Sequence, residues 1–264
     1  MDLSIVVVNF NTREKLARCL ESIAKSDLSD LATEVIVVDN HSTEYIGEMP
    51  QMSGISLALI KNDSNKGMGA GNNVGIKQAI GEFILVLNPD TGLASDAIRH
   101  MVIYLKLHDA VGVVGPKLIY PDGSPQASCF HYPNIFLPLL RRTFFGKLAP
   151  IQLAHFMMTD SDLRIPQSVD WVMGSCMMFA KKVLDQVGLF DERFFMYFED
   201  TDLCRRITCA GFGVVYLPEA VVTHHHGRAS AKEHWYVSPF INKMSRIHIA
   251  SWLKYFWKWR QGRA

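Results

Sequence analysis

The chain has 264 residues, is 48% hydrophobic and carries a net charge of +1 at pH 7. That length and apolar content support one large domain with a substantial core. The near-zero charge gives no global attraction to nucleic acid. Five cysteines stand apart with no CxxC pair, which argues against a disulfide framework or a structural zinc site and suits a reducing compartment.

The opening MDLSIVVVNFN has neither the basic lead nor the long apolar stretch of a signal peptide. No run reaches the ~18 apolar residues that a membrane-spanning helix needs. From the N-terminus, strand-like and helix-like patterns alternate through residue 115. Ser4–Val8 is a β-branched run, as expected of a buried strand. Thr12 is placed to cap the amphipathic stretch Arg13–Lys25. Strands follow at Glu34–Val38 and Ile55–Ile60, then a helix of small residues at Met68–Ile80. A fourth strand, Glu82–Leu87, precedes Asn88-Pro89-Asp90, a helix at Ala94–His108 and a fifth strand at Val111–Pro116. Such alternation implies an α/β fold, a Rossmann-like, mostly parallel sheet flanked by helices.

Residues 130–165 break the pattern as an apolar, basic, proline-containing insertion. Strands resume at Val169–Val172 and Met177–Phe179. A helix is expected over Thr201–Cys209, ended by Gly211, then a strand over Gly213–Leu217, stopped by Pro218. Glu233–Trp259 reads as largely helical. The expected organisation is a domain over 1–230, with a nucleotide-binding half over 1–115 and an acceptor half over 116–230, then a basic aromatic tail over 231–264.

In open parallel sheets, ligands bind beyond the carboxyl ends of the strands. Here those ends carry Asn9 and Asn11, Asp39 and Asn40, and Asn88 and Asp90. A single cluster of this kind is an ordinary turn; three at equivalent places point to a nucleotide or sugar site. The glycine-rich turn of a dinucleotide-binding domain is missing, since NFNTREKL follows the first strand. A diphosphate must then be held otherwise, and a divalent ion is the usual means. Asp90 is the leading ligand for magnesium or manganese. One histidine of the run His224-His225-His226 is a plausible partner, since imidazole is a common ligand for such ions. In FMYFEDTDLCRR, Glu199, Asp200 and Asp202 crowd beside aromatic rings. Acids at a helix start complement its dipole, but a carboxylate near apolar rings also gains the raised pKa of a general base.

The set VVVNFN, VVDN, NKGMGAGNNVG, LNPD, WVMGS, FMYFEDTDLCRR and THHHGRAS resembles family 2 glycosyltransferases of the GT-A fold, in particular their bacterial rhamnosyltransferase-type branch. The resemblance runs in order from about residue 3 to 230. It implies an inverting, metal-dependent glycosyltransferase that uses a dTDP- or UDP-sugar, with L-rhamnose from dTDP-rhamnose the first choice of donor. Galactofuranose and N-acetylglucosamine are the alternative sugars. It also implies a polyprenyl-diphosphate-linked saccharide acceptor in O-antigen or other cell-surface polysaccharide synthesis. Carried over by position, Asn9 and Asp39 line the base and ribose pocket, with Asn11 beside them. Asn65, Gly67 and Asn73 lie on the loop over the nucleotide. Asp90 binds the ion, with Asn88 where other members have a second acid. Gly174 and Ser175 face sugar or acceptor. Asp200 is the catalytic base with Glu199 beside it, Arg205 or Arg206 lies nearby, and His224 assists the metal or diphosphate.

The tail has no acid after Glu233 and interleaves cations with aromatic rings. Ile249, Trp252, Leu253, Phe256 and Trp259 share one helical face, with Lys254 and Lys258 opposite. Such a helix suits a membrane interface, or else packs on the domain or on a dimer partner. The membrane reading places the chain in the cytoplasm, peripheral on the inner face of the plasma membrane, with Arg141, Arg142 and Lys147 of the insertion joining that surface. The rival from another class is a non-catalytic nucleotide-binding module.

Overall fold

The computed structural model describes residues 1–47, 49–50, 52–137, 149–225 and 242–260. Its first half runs β1 (Leu3–Asn9), α1 (Arg13–Ala24), β2 (Thr33–Asp39), β3 (Ser56–Lys61), α2 (Met68–Gln78), β4 (Phe83–Leu87), β5 (Thr91–Leu93), α3 (Ala97–Leu107) and β6 (Val111–Ile119). The second half adds β7 (Pro125–Gln126), β8 (Cys129–Phe130), α4 (Pro150–Phe156), β9 (Gln167–Ser168), β10 (Trp171–Val172), β11 (Cys176–Ala180), α5 (Lys181–Val187), α6 (Glu199–Cys209), β12 (Gly213–His224) and α7 (Lys243–Trp259).

Among the described residues one large sheet has the order β3-β2-β1-β4-β11-β6-β12-β5. Strands β3, β2, β1 and β4 are parallel. Strand β11 enters antiparallel between β4 and β6, and β12 returns parallel to β6. The sheet is buried on both faces because successive side chains alternate. Ile5 and Val7 join one cluster with Leu16, Leu20 and Met101 of α1 and α3. Val6 and Val8 join the other with Ile76 of α2, Val183 of α5 and Leu203 and Ile207 of α6. Each fully buried Leu or Ile contributes about 1.5–3 kcal/mol. The small residues of α2 let that helix lie close on the sheet: a Cβ on Gly75 would stand 2.4 Å from Val6 Cγ1.

Two local expectations change. Thr12 does not cap α1; its Oγ1 donates instead to Asn9 Oδ1 at 2.8 Å, which ties the helix start to the end of β1. Pro218 does not end the strand after Gly213, because β12 continues to His224. Its register against β6 shifts between Leu217 and Val221, and a bulge tolerates a residue without an N–H. The extension matters, for it pairs His224 with Thr91 of β5, next to Asp90. All five cysteines are free. No described helix is long and apolar enough to cross a membrane.

Candidate active site

The ends of β1 and β2 form a polar shelf. Asn9 Nδ2 donates to Asp39 Oδ1 at 3.1 Å and to Ser42 Oγ at 3.1 Å. Ser42 Oγ donates to the same carboxylate oxygen at 2.5 Å. Asn11, in a left-handed conformation with φ 52°, accepts the amide of Thr43 at 2.8 Å and so fixes the next loop. Asn40 continues the shelf: its Nδ2 donates to Asn65 Oδ1 at 3.0 Å and to the Gly67 carbonyl at 3.1 Å. Gly67 has φ 102°, and a Cβ there would lie 2.1 Å from the Phe195 carbonyl oxygen. Only glycine lets this loop meet the segment before α6, where the Met68 amide donates to that carbonyl at 2.8 Å.

One strand further along, Asp90 meets an imidazole and an ammonium. His224 Nε2 lies 3.5 Å from its Oδ1 and Lys15 Nζ 3.5 Å from its Oδ2. His224 Nδ1 is 3.2 Å from Gln126 Oε1, the kind of outer contact that fixes an imidazole's orientation. Burial would raise the Asp90 pKa, but the His224 hydrogen bond and the charges of His224 and Lys15 outweigh it and hold the carboxyl below its usual value. Lys15 and Gln126 were not singled out from sequence. Each lies far along the chain from its partner, and neither belongs to a motif.

The third part of the site is the start of α6. Asp200 Oδ2 accepts the Gly174 amide at 3.0 Å, and its Oδ1 accepts the Thr201 amide at 2.7 Å. Glu199 is buried, and its Oε2 has no hydrogen-bond partner among the described residues. Burial raises the pKa of both acids, and for Glu199 the Asp200 charge adds to it. The amides on both Asp200 oxygens favour its charged form, whereas the bare, buried Oε2 of Glu199 favours the protonated form of that acid.

Glu199→Gln should remove a pH-dependent penalty. A carboxyl with a folded pKa of about 8 against 4.5 unfolded keeps its proton in the native state, so stability falls as pH rises from 4.5 to 8. The variant should match the wild type near pH 5 and melt higher at pH 8–9 in thermal scans; parallel pH curves would contradict this.

Two hydrogen bonds connect the Asp90 and Asp200 regions. The Asn88 amide donates to the Ser175 carbonyl at 2.8 Å, and the neighbouring Gly174 amide reaches Asp200. Ser175 Oγ is buried without a partner among the described residues, as expected of a group awaiting a ligand. Before α6 the chain makes a forced turn: Tyr197 and Phe198 have φ 70° and 69°. Two bulky residues in that region cost on the order of 1–3 kcal/mol each, a strain typical of functional turns.

Other expected site residues are engaged elsewhere. Arg206 Nε bonds Asp202 at 3.0 Å, and its remaining donors hold the carbonyls of Val187, Gly188 and Leu189. Its guanidinium closes the turn after α5 and does not face the cleft. Arg205 is stacked 4.4 Å from the Trp259 ring centroid and donates to the Tyr255 hydroxyl at 3.2 Å. Asn73 does not face the nucleotide loop. It pairs with the backbone of Phe190 in both directions and with Glu192, fastening α2 to the loop before α6. Asp202, fully buried, binds α7 rather than the cleft.

No group of three or more His, Cys, Asp or Glu able to hold a metal occurs among the described residues. The Asp90–His224 pair instead fits an ion that draws most of its ligands from phosphate and water. With its Nδ1 held at Gln126 Oε1, His224 turns Nε2 toward Asp90 Oδ1, so the two atoms that would ligate a divalent ion face each other. His226 and the GRAS segment lie outside the described residues.

The family model for "Glycosyltransferase like family 2" matches residues 2–235. An N-acetylglucosaminyl-diphospho-decaprenol L-rhamnosyltransferase of Mycobacterium tuberculosis is 29% identical over 250 residues, covering 88% of this chain and 78% of that protein. Rhamnosyltransferase WbbL of Escherichia coli K12 is 25% identical over 270 residues, covering 95% and 91%. Among solved structures, the mannosyltransferase PcManGT of Pyrobaculum calidifontis, in complex with GDP-Man and Mn2+, superposes with TM-score 0.61 at 17% identity, covering 96% of this chain and 64% of that one. Staphylococcus aureus TarS 1-349 in complex with UDP-GlcNAc gives 0.56 at 19%, and the chain spans 60% of its length. At such identities these two speak for the GT-A fold alone. The family match over nearly the whole chain makes this protein a member of glycosyltransferase family 2 and, with that, a glycosyltransferase.

Proposed function

We propose that the chain is an inverting transferase moving L-rhamnose from dTDP-rhamnose to a polyprenyl-diphosphate-linked saccharide, in the assembly of a cell-surface polysaccharide. The observation that carries the mechanism is the hydrogen-bonded path Asn88–Ser175–Gly174–Asp200, which joins the segment of Asp90 to that of Asp200. Two rhamnosyltransferases among the relatives favour the sugar, and the decaprenol-linked substrate in one relative's name favours the acceptor class.

In this reading Asn9 and Asp39 bind the base and ribose, with Asn11 and Asn65 holding the loops around them. Asp90 and His224 would hold a magnesium or manganese ion, which would supply positive charge beside the departing diphosphate. Lys15, already beside Asp90, contributes a second positive charge there. Ser175 contacts sugar or acceptor. Asp200 takes the proton of the acceptor hydroxyl as that oxygen attacks the anomeric carbon from the face opposite the diphosphate. A donor screen with dTDP-rhamnose, UDP-N-acetylglucosamine and UDP-galactofuranose tests it, reading free nucleoside diphosphate with Mn2+, Mg2+ or EDTA. Turnover of dTDP-rhamnose alone, lost in EDTA, is expected; turnover only of a UDP-sugar would overturn the sugar assignment.

A membrane contact is proposed on a different face of α7 from the one expected from sequence. The helical face proposed from sequence is not free: Trp259 is buried, while Lys254 and Lys258 bond the domain. An exposed stripe of α7 runs through Lys243, Arg246, Ala250, Leu253 and Trp257 to Arg260 just past its end. In our proposal this stripe rests on the anionic inner face of the plasma membrane. Co-sedimentation with phosphatidylglycerol vesicles should be lost in Trp257→Glu; binding equal to wild type would remove the stripe from that role. Arg141, Arg142 and Lys147 lie outside the described residues.

A further inference from the structure

The family match ends at residue 235, so α7 lies beyond it. Yet this helix touches almost every residue that shapes the start of α6. His248 packs edge-on against the rings of Tyr197 and Phe198, with centroids 4.9 and 5.5 Å apart. Ser251 Oγ donates to the Met196 carbonyl at 2.8 Å, and Lys254 Nζ to the Arg193 carbonyl at 2.7 Å. Tyr255 and Trp259 bury Phe194. Lys258 Nζ bridges Asp191 and Asp202, at 2.8 and 2.7 Å. Trp259 Nε1 donates to Asp202 Oδ1 at 2.9 Å.

The contacting positions 248, 251, 254, 255, 258 and 259 recur every three or four residues, so a single helical face makes them all. What they grip is the turn holding Tyr197 and Phe198 at positive φ, immediately before Glu199 and Asp200. Strain of this kind persists only when surrounding contacts over-determine it. The opposite side of the turn is held by the Met68 amide on the Phe195 carbonyl. The turn is thus clamped between the nucleotide loop on one side and α7 on the other.

We propose that α7 is a working part of the active site, a clamp that keeps the turn at 195–198 in its left-handed form and so aims Asp200, with Lys258 as its main positioning residue. The claim rests on the reading of Asp200 as the base. Lys258 sits where one ammonium joins the loop before the turn, through Asp191, to the helix after it, through Asp202. The methylene stem of a methionine keeps the packing and loses both bridges; an arginine can restore them.

The test compares wild type, Lys258→Met and Lys258→Arg, assayed well below each melting temperature with whichever of dTDP-rhamnose or UDP-N-acetylglucosamine the wild type turns over. Lys258→Met should lower kcat by about 10–100-fold, the usual result of misplacing a catalytic group by about an ångström. Donor KM should stay that of the wild type, and Lys258→Arg should recover most of the rate. Hydrogen exchange reads the clamp without any donor. Peptides covering 66–70 and 195–203 should exchange faster in Lys258→Met, while those of β1 and β4 should not. If Lys258→Met does not fold, Ser251→Ala, which removes one hydrogen bond to the turn, takes its place with the same expectations. Wild-type kcat in a folded variant would overturn the proposal. So would a loss of rate matched by raised KM and faster exchange throughout the sheet, the mark of general loosening. A wild type that turns over neither donor speaks against the function reading alone, since the exchange comparison still decides whether α7 holds the turn.

Discussion

Asp200→Asn should lose turnover by about 10²–10⁴-fold, the usual contribution of a positioned general base, while nucleoside diphosphate binding stays at the wild-type level. The replacement keeps the size of the side chain but has no charge with which to take a proton. Asp200 is the right acid for the step because the Gly174 and Thr201 amides stabilise its charged form, whereas Glu199 has a buried oxygen with no partner among the described residues and keeps its proton. Calorimetry with dTDP or UDP and Mn2+, beside a product-release assay, separates the two effects. A variant turning over like the wild type would remove Asp200 from the role.

The second large effect is on stability. Asp202→Ala leaves the Lys258 ammonium and the Arg206 guanidinium facing a buried space without their shared carboxylate. Removing one member of a buried charge cluster costs about 3–5 kcal/mol. For a chain of this size that lowers the melting temperature by on the order of 10 °C. Differential scanning calorimetry measures it. A change too small to resolve would mean that α7 is not fastened through Asp202. The contrast with Asp200→Asn is the useful part: of two acids two residues apart on one helix, one loses turnover at unchanged stability, while the other loses stability and affects turnover only through the hold of α7 on the turn.

The sequence makes that contrast hard to see. EDTDLCRR offers three acids and two arginines on one helix, and nothing local says which face meets the cleft. Asp202 and Arg206 are four apart and turn together away from it, as an i,i+4 pair does. Asn73 looks like a loop-facing amide, but its partners lie 117 and 119 residues on, at Phe190 and Glu192. The parallel strands were legible because each is a short β-branched run with a polar end. Ligand chemistry pointed to one of three histidines as a partner of Asp90, but the choice of His224 came through resemblance, since it depends on β12 passing Pro218 by way of a bulge. The orientation of α7 was misread for a plain reason: Trp252, Tyr255, Phe256, Trp257 and Trp259 surround the helix, so apolar periodicity does not single out one face. Contacts settle it, and they put Lys258 on the inner side, between Asp191 and the buried Asp202.

All of the chemistry assigned to this cleft needs the acceptor oxygen and the diphosphate to lie on opposite faces of one sugar carbon. Proton NMR of the first product formed by the wild-type protein, from a donor of defined anomeric configuration, reads this directly. The account predicts a glycosidic bond of the opposite configuration to the donor. A product that keeps the donor's configuration would contradict it.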